Sequence, residues 1–214
     1  MKTKFNRFII DWTNVKNHCR TTENKLFTEK VPTEEFKQKL LVSEHSPIRL
    51  LSIDWSWEDI PSWVATHWSR HKWECFISTQ RDDRKEHTIS RNDMPQGTLV
   101  KFDGYANMQS LIDTFRKRLC FQASPETRHL AEDFKVALHE IWPELADILV
   151  PNCIYRCGCP EFKMCDQELY QLFLEKAAID YYEKLGSYAN LSDIRVRYGV
   201  YNEWFYSTHP YKET

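Results

Sequence analysis

The stretch LSIDWSW, from Leu51 to Trp57, decides the fold class of this chain. Its apolar residues alternate with polar ones, which places four side chains on one side of an extended backbone: Leu51, Ile53, Trp55 and Trp57. A period of two predicts a β-strand that is buried on one face, and this is the clearest strand in the sequence. The chain therefore builds part of its core on a sheet.

Sequence patterns on both sides of this strand predict further elements. Residues 5–12 are predicted as a short apolar strand, and residues 32–41 as a helix with acidic residues in its first turn. Pro61 opens a short helix that runs to His71, because proline is well tolerated in a first helical turn. The run CFISTQ at 75–80 predicts a strand, and the charged turn RDDRKEH follows it.

The second half of the chain is predicted to be mostly helical. Amphipathic helices are expected at 106–122 and after Ser124-Pro125. From Val150 cysteine, proline and glycine become frequent, and a further helix follows with these residues on one face: Leu169, Leu172, Phe173, Ala177, Tyr181 and Leu185. We therefore predict a core at 1–150 and, packed on it, a Cys-rich, helical and aromatic extension at 151–214.

The composition is that of a soluble globular protein. Hydrophobic residues make up 42% of the 214 residues, and 29 Lys and Arg stand against 31 Asp and Glu. The net charge of -2 argues against a nucleic-acid-binding module, which needs a basic surface. No stretch is apolar for long enough to span a membrane. Seven cysteines behind an N-terminus without an apolar signal segment indicate the reducing cytoplasm.

Two groups of residues could bind a metal, but for both groups a role without a metal is the favoured interpretation. His67 and His71 lie one helical turn apart and could join His45 as ligands. However, no Glu follows His67 in the HExxH manner, and Arg70 would add a fixed cation. Four thiols follow the spacing C-x3-C-x-C-x5-C rather than the paired CxxC of zinc ribbons: Cys153, Cys157, Cys159 and Cys165. Free thiols are the favoured interpretation, zinc stays open, and no metal site is predicted.

Cationic side chains form the more informative set. Five of them lie in three separated segments: Arg70, Lys72, Arg81, Arg91 and Arg118. Guanidinium groups suit phosphate and carbonyl oxygens because they donate two parallel charge-assisted hydrogen bonds. Arg116 and Lys117 are interpreted instead as solvated surface charges. A catalytic thiol at Cys75 or Cys120 is disfavoured, because a lone cysteine is more often a small buried hydrophobe.

Four segments, in order, resemble the flavin-dependent thymidylate synthase family, in particular its shorter, divergent members of the kind seen in phage genomes. SEHSPI (43–48) resembles the family's loop before its first central strand, and HWSRHKWECFISTQR (67–81) resembles its Arg-His-Arg signature followed by Ser-x-Arg. RNDMPQG (91–97) is similar to the segment that has an Arg four residues before a Pro. The helix region 107–128 carries an Asn, an Arg eleven residues later and then Ala-x-x-Glu-x-Arg. The resemblance covers roughly residues 40–150.

The resemblance implies a fold and a reaction. The fold would be α+β, with a mixed or antiparallel sheet packed with long helices. The protein would be a cytoplasmic homotetramer, in the host cytoplasm if a phage encodes it, with FAD at the subunit interfaces. The reaction would be the reductive methylation of dUMP to dTMP with methylenetetrahydrofolate and NADPH. No cysteine nucleophile is required in this family.

The resemblance also implies site residues. The flavin would be bound by His45, Arg70, His71, Lys72 and Asn107. The nucleotide would be bound by His67, Arg70, Gln80, Arg81, Arg91 and Arg118. Arg118 is the expected catalytic residue, because a fixed cation at the uracil stabilises the charge that develops on the ring oxygens as C5 becomes nucleophilic.

Several positions depart from the family pattern. Lys72 replaces the second arginine of the signature, which reduces a bidentate contact to a point charge. Gln80-Arg81 aligns with the terminal Ser-x-Arg only if one residue is deleted. Asp113 stands where Asn is usual, and a carboxylate near a reduced flavin is unfavourable unless it is paired. Two alternatives therefore stay open: an altered or inactive homologue that binds a pyrimidine nucleotide without making dTMP, or one that modifies another pyrimidine nucleotide.

Overall fold

The computed structural model describes residues 2–81, 83, 89–165 and 193–210. The chain divides into two compact units. The first unit comprises Met1–Thr33 and His45–Leu111, and the second unit comprises Glu34–Glu44 and Ile112–Thr214. The boundary expected after residue 150, between a family-like core and an extension, lies inside the second unit and stays a prediction.

The first unit is built on a four-stranded antiparallel sheet. Its strands are β1 (Thr3–Ile9), β2 (Ser52–Pro61), β3 (Glu74–Ile77) and β4 (Leu99–Asn107), and they lie in the order β1-β2-β4-β3. All neighbours pair antiparallel. The strand predicted from LSIDWSW is confirmed as β2, and it lies at an inner position. The expected α+β class is confirmed, with an antiparallel sheet.

β2 is buried on both faces rather than on one. Its apolar side chains Ile53, Trp55 and Trp57 are at most 1% exposed. Ser52 and Ser56 on the other face are only 6% and 5% exposed. The alternation therefore predicts the strand correctly, but it does not predict that Ser52 and Ser56 on its polar face are buried as well.

Trp55 packs directly on the backbone of β4 at Gly104, its partner across the two strands. A Cβ atom at position 104 would lie 2.3 Å from the indole ring, so that only glycine leaves room for it. This close approach ties the β2–β4 register to the packing of the core.

A cluster of four tryptophans extends from this contact. Trp55 meets Trp57 and Trp73 edge-on, with ring centroids 5.6 Å and 5.1 Å apart. Trp68 lies on the helix α3 (Ser62–Ser69) and stacks on Trp73 at 5.6 Å, with an angle of 16° between the rings. The Trp73 Nε1 group also donates a hydrogen bond to the Trp68 carbonyl at 2.9 Å. The cluster therefore joins β2, α3 and the segment after α3.

The predicted strand at 5–12 ends earlier than expected because a capping residue starts a helix. β1 stops at Ile9, and the helix α1 begins at Trp12 and runs to Thr22. The Asn14 amide donates a hydrogen bond to Asp11 Oδ1 at 2.9 Å, which satisfies one of the free N–H groups at the start of α1. An apolar run alone does not reveal this cap.

The helices around β2 and β3 are short. The helix predicted from Pro61 to His71 is confirmed as α3, at Ser62–Ser69. One 3₁₀ helix at Ser46–Leu50 leads into β2, and another at Arg91–Asp93 precedes β4. Asp82 and residues 84–88, which make up most of the predicted charged turn, lie outside the described residues.

The helix predicted at 106–122 is shorter than expected, because Ala106 and Asn107 belong to β4. The helix α4 covers Met108–Arg118. Asn107 caps it, since the Ser110 amide donates a hydrogen bond to its side-chain Oδ1 at 3.0 Å. The strand itself was not predicted, because small residues interrupt its apolar alternation and have little β propensity.

The second unit is helical in its described residues. Its further helices are α2 (Glu34–Val42), α5 (Pro125–His139), α6 (Pro143–Ala146), α7 (Asn152–Arg156) and α8 (Ile194–Thr208). The predictions of α2 and of a helix start at Ser124-Pro125 are confirmed. The helix predicted over Leu169 to Leu185 lies outside the described residues. Across the described parts of the chain, each helix falls short of the length or apolarity that a membrane span needs.

Arg116 is the centre of a polar network in the second unit, and its interpretation as a solvated surface charge is wrong. Its side chain is 11% exposed. Both terminal nitrogens contact the Glu44 carboxylate, with Nη1 at 3.2 Å. The guanidinium carbon lies 3.5 Å from the ring centroid of Tyr155, and Nη1 lies 3.6 Å from Asp113 Oδ1. Asp113, which stands where the resembled family has Asn, is therefore paired.

Candidate functional site

A pocket of about 290 Å³ lies in the first unit, at the end of the sheet where β2 and β3 begin and β4 ends. It is lined by Arg49, Ser52, Lys72, Trp73, Glu74, Tyr105, Ala106, Asn107 and Ser110. Strand pairing brings several of them together, because Ser52 faces Asn107 across β2 and β4, and Glu74 faces Tyr105 across β3 and β4. The register of three strands therefore builds the pocket.

Three charged side chains line the pocket, and none of them forms an ion pair with another described residue: Arg49, Lys72 and Glu74. Two cations against one carboxylate leave an excess of positive charge. The N-terminal end of α4, where Asn107 and Ser110 lie, adds a partial positive charge. The arrangement therefore suits an anionic ligand that also carries an N–H or O–H donor for the carboxylate.

Trp73 gives the pocket a flat wall. Its ring is half-buried, and the Trp68 ring supports it at 5.6 Å. Its hydrogen bond to the Trp68 carbonyl fixes the orientation of the indole. A ring held in place from behind can stack on a ligand without losing further conformational freedom.

Lys72 and Asn107 are the predicted site residues that line this pocket. Lys72 is exposed, and Asn107 is half-buried with its amide fixed by the cap on α4. Both were expected to bind the flavin. They reach the same pocket although 35 residues separate them in the sequence (107 minus 72).

Arg70 and His71 directly precede Lys72 in the sequence but do not line the pocket. Arg70 is exposed at the C-terminal end of α3. The half-buried His71 ring lies 5.4 Å from the Trp73 ring, edge to face. His71 therefore supports the wall of the pocket through Trp73.

The other residues expected at the flavin and nucleotide also lie away from the pocket lining. His45 is exposed, directly before the 3₁₀ helix at Ser46–Leu50. His67 is half-buried on α3, with its ring 5.4 Å from that of Trp63. Neither histidine therefore lines the pocket.

The cations expected at the phosphate are dispersed. Arg81 is exposed and donates hydrogen bonds through Nε and Nη2 to the Asp83 carboxylate, at 2.9 Å and 2.6 Å. Gln80 is half-buried in the loop after β3, and Arg91 is exposed in the 3₁₀ helix at Arg91–Asp93. A bidentate pair with Asp83 occupies the fork of Arg81 that a phosphate would need.

Arg118, the expected catalytic residue, belongs to the second unit. It is the last residue of α4, whereas Asn107 precedes the first residue of that helix. The full length of α4 therefore separates the two positions. The described residues of one chain do not place Arg118 in the pocket lining.

Sequence reasoning missed most of the pocket: Arg49, Ser52, Trp73, Glu74, Tyr105, Ala106 and Ser110. Trp73 and Glu74 directly follow Lys72, a predicted site residue, so their place in the sequence was a signal that they lie near the same site. Tyr105 and Ser110 depend on β4 and on the true start of α4, neither of which was predicted. Arg49 had no pattern that could reveal it.

Four cysteines lie near one another in the second unit: Cys120, Cys153, Cys159 and Cys165. Burial, followed by the neighbouring thiols, raises the pKa of the Cys153 thiol to about 12, so that this thiol is protonated at neutral pH. None of the seven cysteines, all of which are among the described residues, forms a disulfide. Among the residues that the structure describes, no three His, Cys, Asp or Glu side chains are arranged to hold a metal ion.

No family model and no curated protein matches this chain. Solved structures do match it. Thymidylate Synthase X (ThyX) from Helicobacter pylori with FAD and dUMP aligns at a TM-score of 0.57 and 14% identity, over 70% of this chain and 99% of that chain. A second structure of that protein, complexed with FAD and dUMP, gives a TM-score of 0.58 at 14% identity, over 70% of this chain and 100% of that chain. The fold is that of the flavin-dependent thymidylate synthases.

A related fold occurs in a methylase. The UMP/dUMP methylase PolB from Streptomyces cacaoi, bound with 5-Br dUMP, aligns at a TM-score of 0.55 and 13% identity. The alignment covers 69% of this chain and 93% of that chain. The thymidylate synthase fold therefore extends through most of the described chain.

The pocket in this thymidylate synthase fold fits one part of FAD. Trp73 offers a flat ring, and Arg49 and Lys72 offer cations, which together match a ring joined to a phosphate. The volume of about 290 Å³ is at the low end for ligand sites, whereas FAD carries two ring systems joined by a pyrophosphate. The donor set therefore suits one ring and its neighbouring phosphate, and the rest of FAD would lie outside the pocket.

Proposed function

We propose that this chain is an FAD-dependent enzyme that methylates dUMP to dTMP, with methylenetetrahydrofolate and NADPH as co-substrates. One observation carries the proposal: Lys72 and Asn107, both expected at the flavin, line one positively charged pocket in a fold shared with ThyX. The cations Arg49 and Lys72 and the ring of Trp73 support it, because they match the chemistry of an anionic ring ligand.

The residues of this chain would act by positioning and by electrostatics. FAD, when bound, would supply the hydride. Arg49 and Lys72 would hold a phosphate through charge-assisted hydrogen bonds, beside the fixed amide of Asn107. Arg118 would place its permanent positive charge at the uracil and stabilise the charge that develops on the ring oxygens.

The proposed assembly is a homotetramer in the cytoplasm, with each site completed by a second copy of the chain. Two observations support a shared site. The pocket has room for only part of FAD, and Arg118 does not belong to its lining. A second copy would supply the missing walls and the catalytic cation.

The test is the visible absorption spectrum of the purified protein during titration with FAD, followed by addition of dUMP. The proposal expects a flavin band that saturates and then shifts with dUMP, and dTMP formation when both co-substrates are present. Absence of any flavin binding would contradict the proposal. If flavin binds but the product is not dTMP, the flavin-dependent reaction stays in the proposal, and the substrate or the one-carbon unit in it is wrong.

Two matched variants connect this test to the pocket. Lys72→Met removes a pocket cation and should weaken FAD binding by about tenfold, as expected for a lost charge-assisted contact. Lys117→Met removes an exposed lysine of α4 outside the pocket and should leave FAD binding unchanged. Equal affinities for the two variants would remove Lys72 from the site.

A second candidate function is a nucleotide-binding protein without turnover. Two observations favour it: Arg81 is paired with Asp83, and Lys72 replaces an arginine. It predicts that dUMP binds while added FAD and co-substrates produce no dTMP. Isothermal titration with dUMP in parallel with the turnover assay separates the two functions.

A further inference from the structure

Trp73 lies in the pocket in a geometry that is fixed before any ligand arrives. Its Nε1 group donates to the Trp68 carbonyl at 2.9 Å. The Trp68 ring stacks on it at 5.6 Å, and the Trp55 ring meets it edge-on at 5.1 Å. His71 contacts it at 5.4 Å. Four contacts therefore hold the ring, and it still lines the pocket.

Both cations of the pocket accompany this ring. Lys72 is the adjacent residue, and Arg49 reaches the pocket from the 3₁₀ helix that leads into β2. A planar ring next to two cations recognises a planar ring that carries an anionic group. The pocket volume matches one such ring rather than a complete dinucleotide.

We propose that Trp73 is a ligand-binding residue that stacks on the ring of the bound cofactor or nucleotide, while Arg49 and Lys72 hold the adjoining phosphate. This inference rests on the proposed function only for the identity of the ring. Its departure from the expected site is specific: the ligand would be recognised by Trp73, the residue after the Arg-His-Lys triplet, together with Lys72, the one residue of the triplet that lines the pocket.

The test compares wild type with Trp73→Leu and Trp73→Phe in titrations with FAD, FMN, dUMP and the ring-free ribose 5-phosphate. Trp63→Leu is the matched control, because Trp63 is a half-buried tryptophan outside the pocket lining. Stacking predicts that Trp73→Leu weakens binding of a ring-bearing ligand by about tenfold or more. Trp73→Phe should weaken it by less than about threefold, and Trp63→Leu should leave it unchanged.

A second readout keeps the test valid if Trp73→Leu does not fold. A tryptophan stacked on flavin quenches flavin fluorescence by electron donation, and phenylalanine is a much weaker donor. The bound flavin should therefore emit more strongly in Trp73→Phe than in wild type at equal occupancy. Equal emission from the two proteins would overturn stacking of Trp73 on the flavin ring.

The remaining outcomes distinguish this inference from the proposed function. If wild type and folded Trp73→Leu bind FAD, FMN and dUMP with equal affinity, the stacking role is wrong and the proposed function stands. If FMN or dUMP binds in a Trp73-dependent way but no dTMP forms, the stacking role stands and the proposed reaction falls. If wild type binds none of the three ring-bearing ligands, both fall.

Discussion

Lys135 illustrates how burial changes the chemistry of a single residue. It is fully buried on α5, and its Nζ donates hydrogen bonds to the Ala146 carbonyl at 2.7 Å and to Asn202 Oδ1 at 2.8 Å. Burial lowers the pKa of Lys135 to about 7, although Asp147 acts in the opposite direction. At neutral pH the folded protein therefore holds this amine close to its protonation midpoint.

Lys135→Met should remove a pH dependence of stability. The unfolded lysine binds a proton up to about pH 10.4, whereas the folded one loses it near 7, so the unfolded state binds more protons between these values. The lysine's contribution to stability therefore rises with pH from 7 and is lost as pH falls to 7. Urea unfolding at pH 7.5, 8.25 and 9 should show that the free energy of unfolding of wild type rises, relative to that of the variant, by about 1.4 kcal/mol per pH unit. If the free energies of unfolding of the two proteins change equally with pH, the proposed pH dependence of Lys135 is wrong.

Arg118 is the residue on which the proposed chemistry depends. Arg118→Ala should reduce dTMP formation by roughly a hundredfold or more, because the charge on the uracil oxygens loses its stabilising cation. FAD binding should be unchanged, since Arg118 does not line the pocket that holds the cofactor in the proposal. Single-turnover assays measure the first effect, and FAD titration the second. Unchanged turnover would remove Arg118 from the catalytic role.

At the scale of secondary-structure elements, the β2–β4 pair is the most constrained contact in the first unit. Trp55 on β2 is fully buried over Gly104 on β4. A methyl group at position 104 would overlap the indole ring and push it toward the other tryptophans. Because close-packed cores do not absorb such shifts freely, the pairing depends on this glycine.

Gly104→Ala should destabilise the protein by about 2–3 kcal/mol, the upper part of the range for overpacked cores. Gly97→Ala is the matched control, because no atom lies within 4 Å of a Cβ at that position. Chemical denaturation with the tryptophan fluorescence as the probe measures both. Equal stability of the two variants would show that Trp55 has room to move.

One ion pair within the second unit joins the turn after α2 to the helix α4: Glu44 lies in that turn, and Arg116 lies on α4. Glu44 has a positive φ of 50°, in the left-handed region that non-glycine residues seldom occupy. This conformation accompanies the paired contact of its carboxylate with Arg116. Desolvation of both partners makes the loss of either costly.

Glu44→Gln should therefore destabilise the protein by about 2 kcal/mol, because the largely buried guanidinium of Arg116 loses its closest carboxylate and keeps only the exposed one of Asp113. Glu35→Gln, which removes an exposed partner of Lys39 on α2, is the control and should cause no measurable loss. Thermal unfolding monitored by circular dichroism compares the variants. Similar midpoints for both would contradict the role assigned to Glu44.

At the scale of the whole molecule, the first unit exposes large apolar side chains that a monomer would leave in water. Leu26, Phe27 and Val31 lie in one short segment and are 88%, 66% and 73% exposed. Phe76 on the edge strand β3 is 70% exposed. Exposed apolar groups that cluster in this way are typical of contact surfaces between chains.

Light scattering coupled to size exclusion should give four times the chain mass of 25.7 kDa. The physical reason is that association would cover these apolar groups and complete a pocket that is too small for FAD. A mass equal to one chain at micromolar concentration, with FAD present, would exclude the shared site. A mass equal to two chains would be compatible with a shared site but would show that the protein is a dimer and not a tetramer.

Local sequence patterns by themselves determined several elements of this protein. Alternation predicted β2, and helical periodicity with capping residues predicted α2, α3 and α5. These patterns are local, because they depend on spacing along the chain and on residues near each helix end. The family resemblance carried by the order of the motifs also predicted a fold that the solved structures share. It predicted that Lys72 and Asn107 bind one ligand, and both residues line one pocket.

Tertiary structure alone decided the pocket and the state of the buried charges. β4 has a weak pattern, and only its pairing with β2 and β3 brings Tyr105 beside Glu74. Arg116 and Lys135 resemble surface cations in the sequence, yet both are largely or fully buried. Strand register and burial depend on residues far apart in the chain, so spacing along the sequence does not determine them.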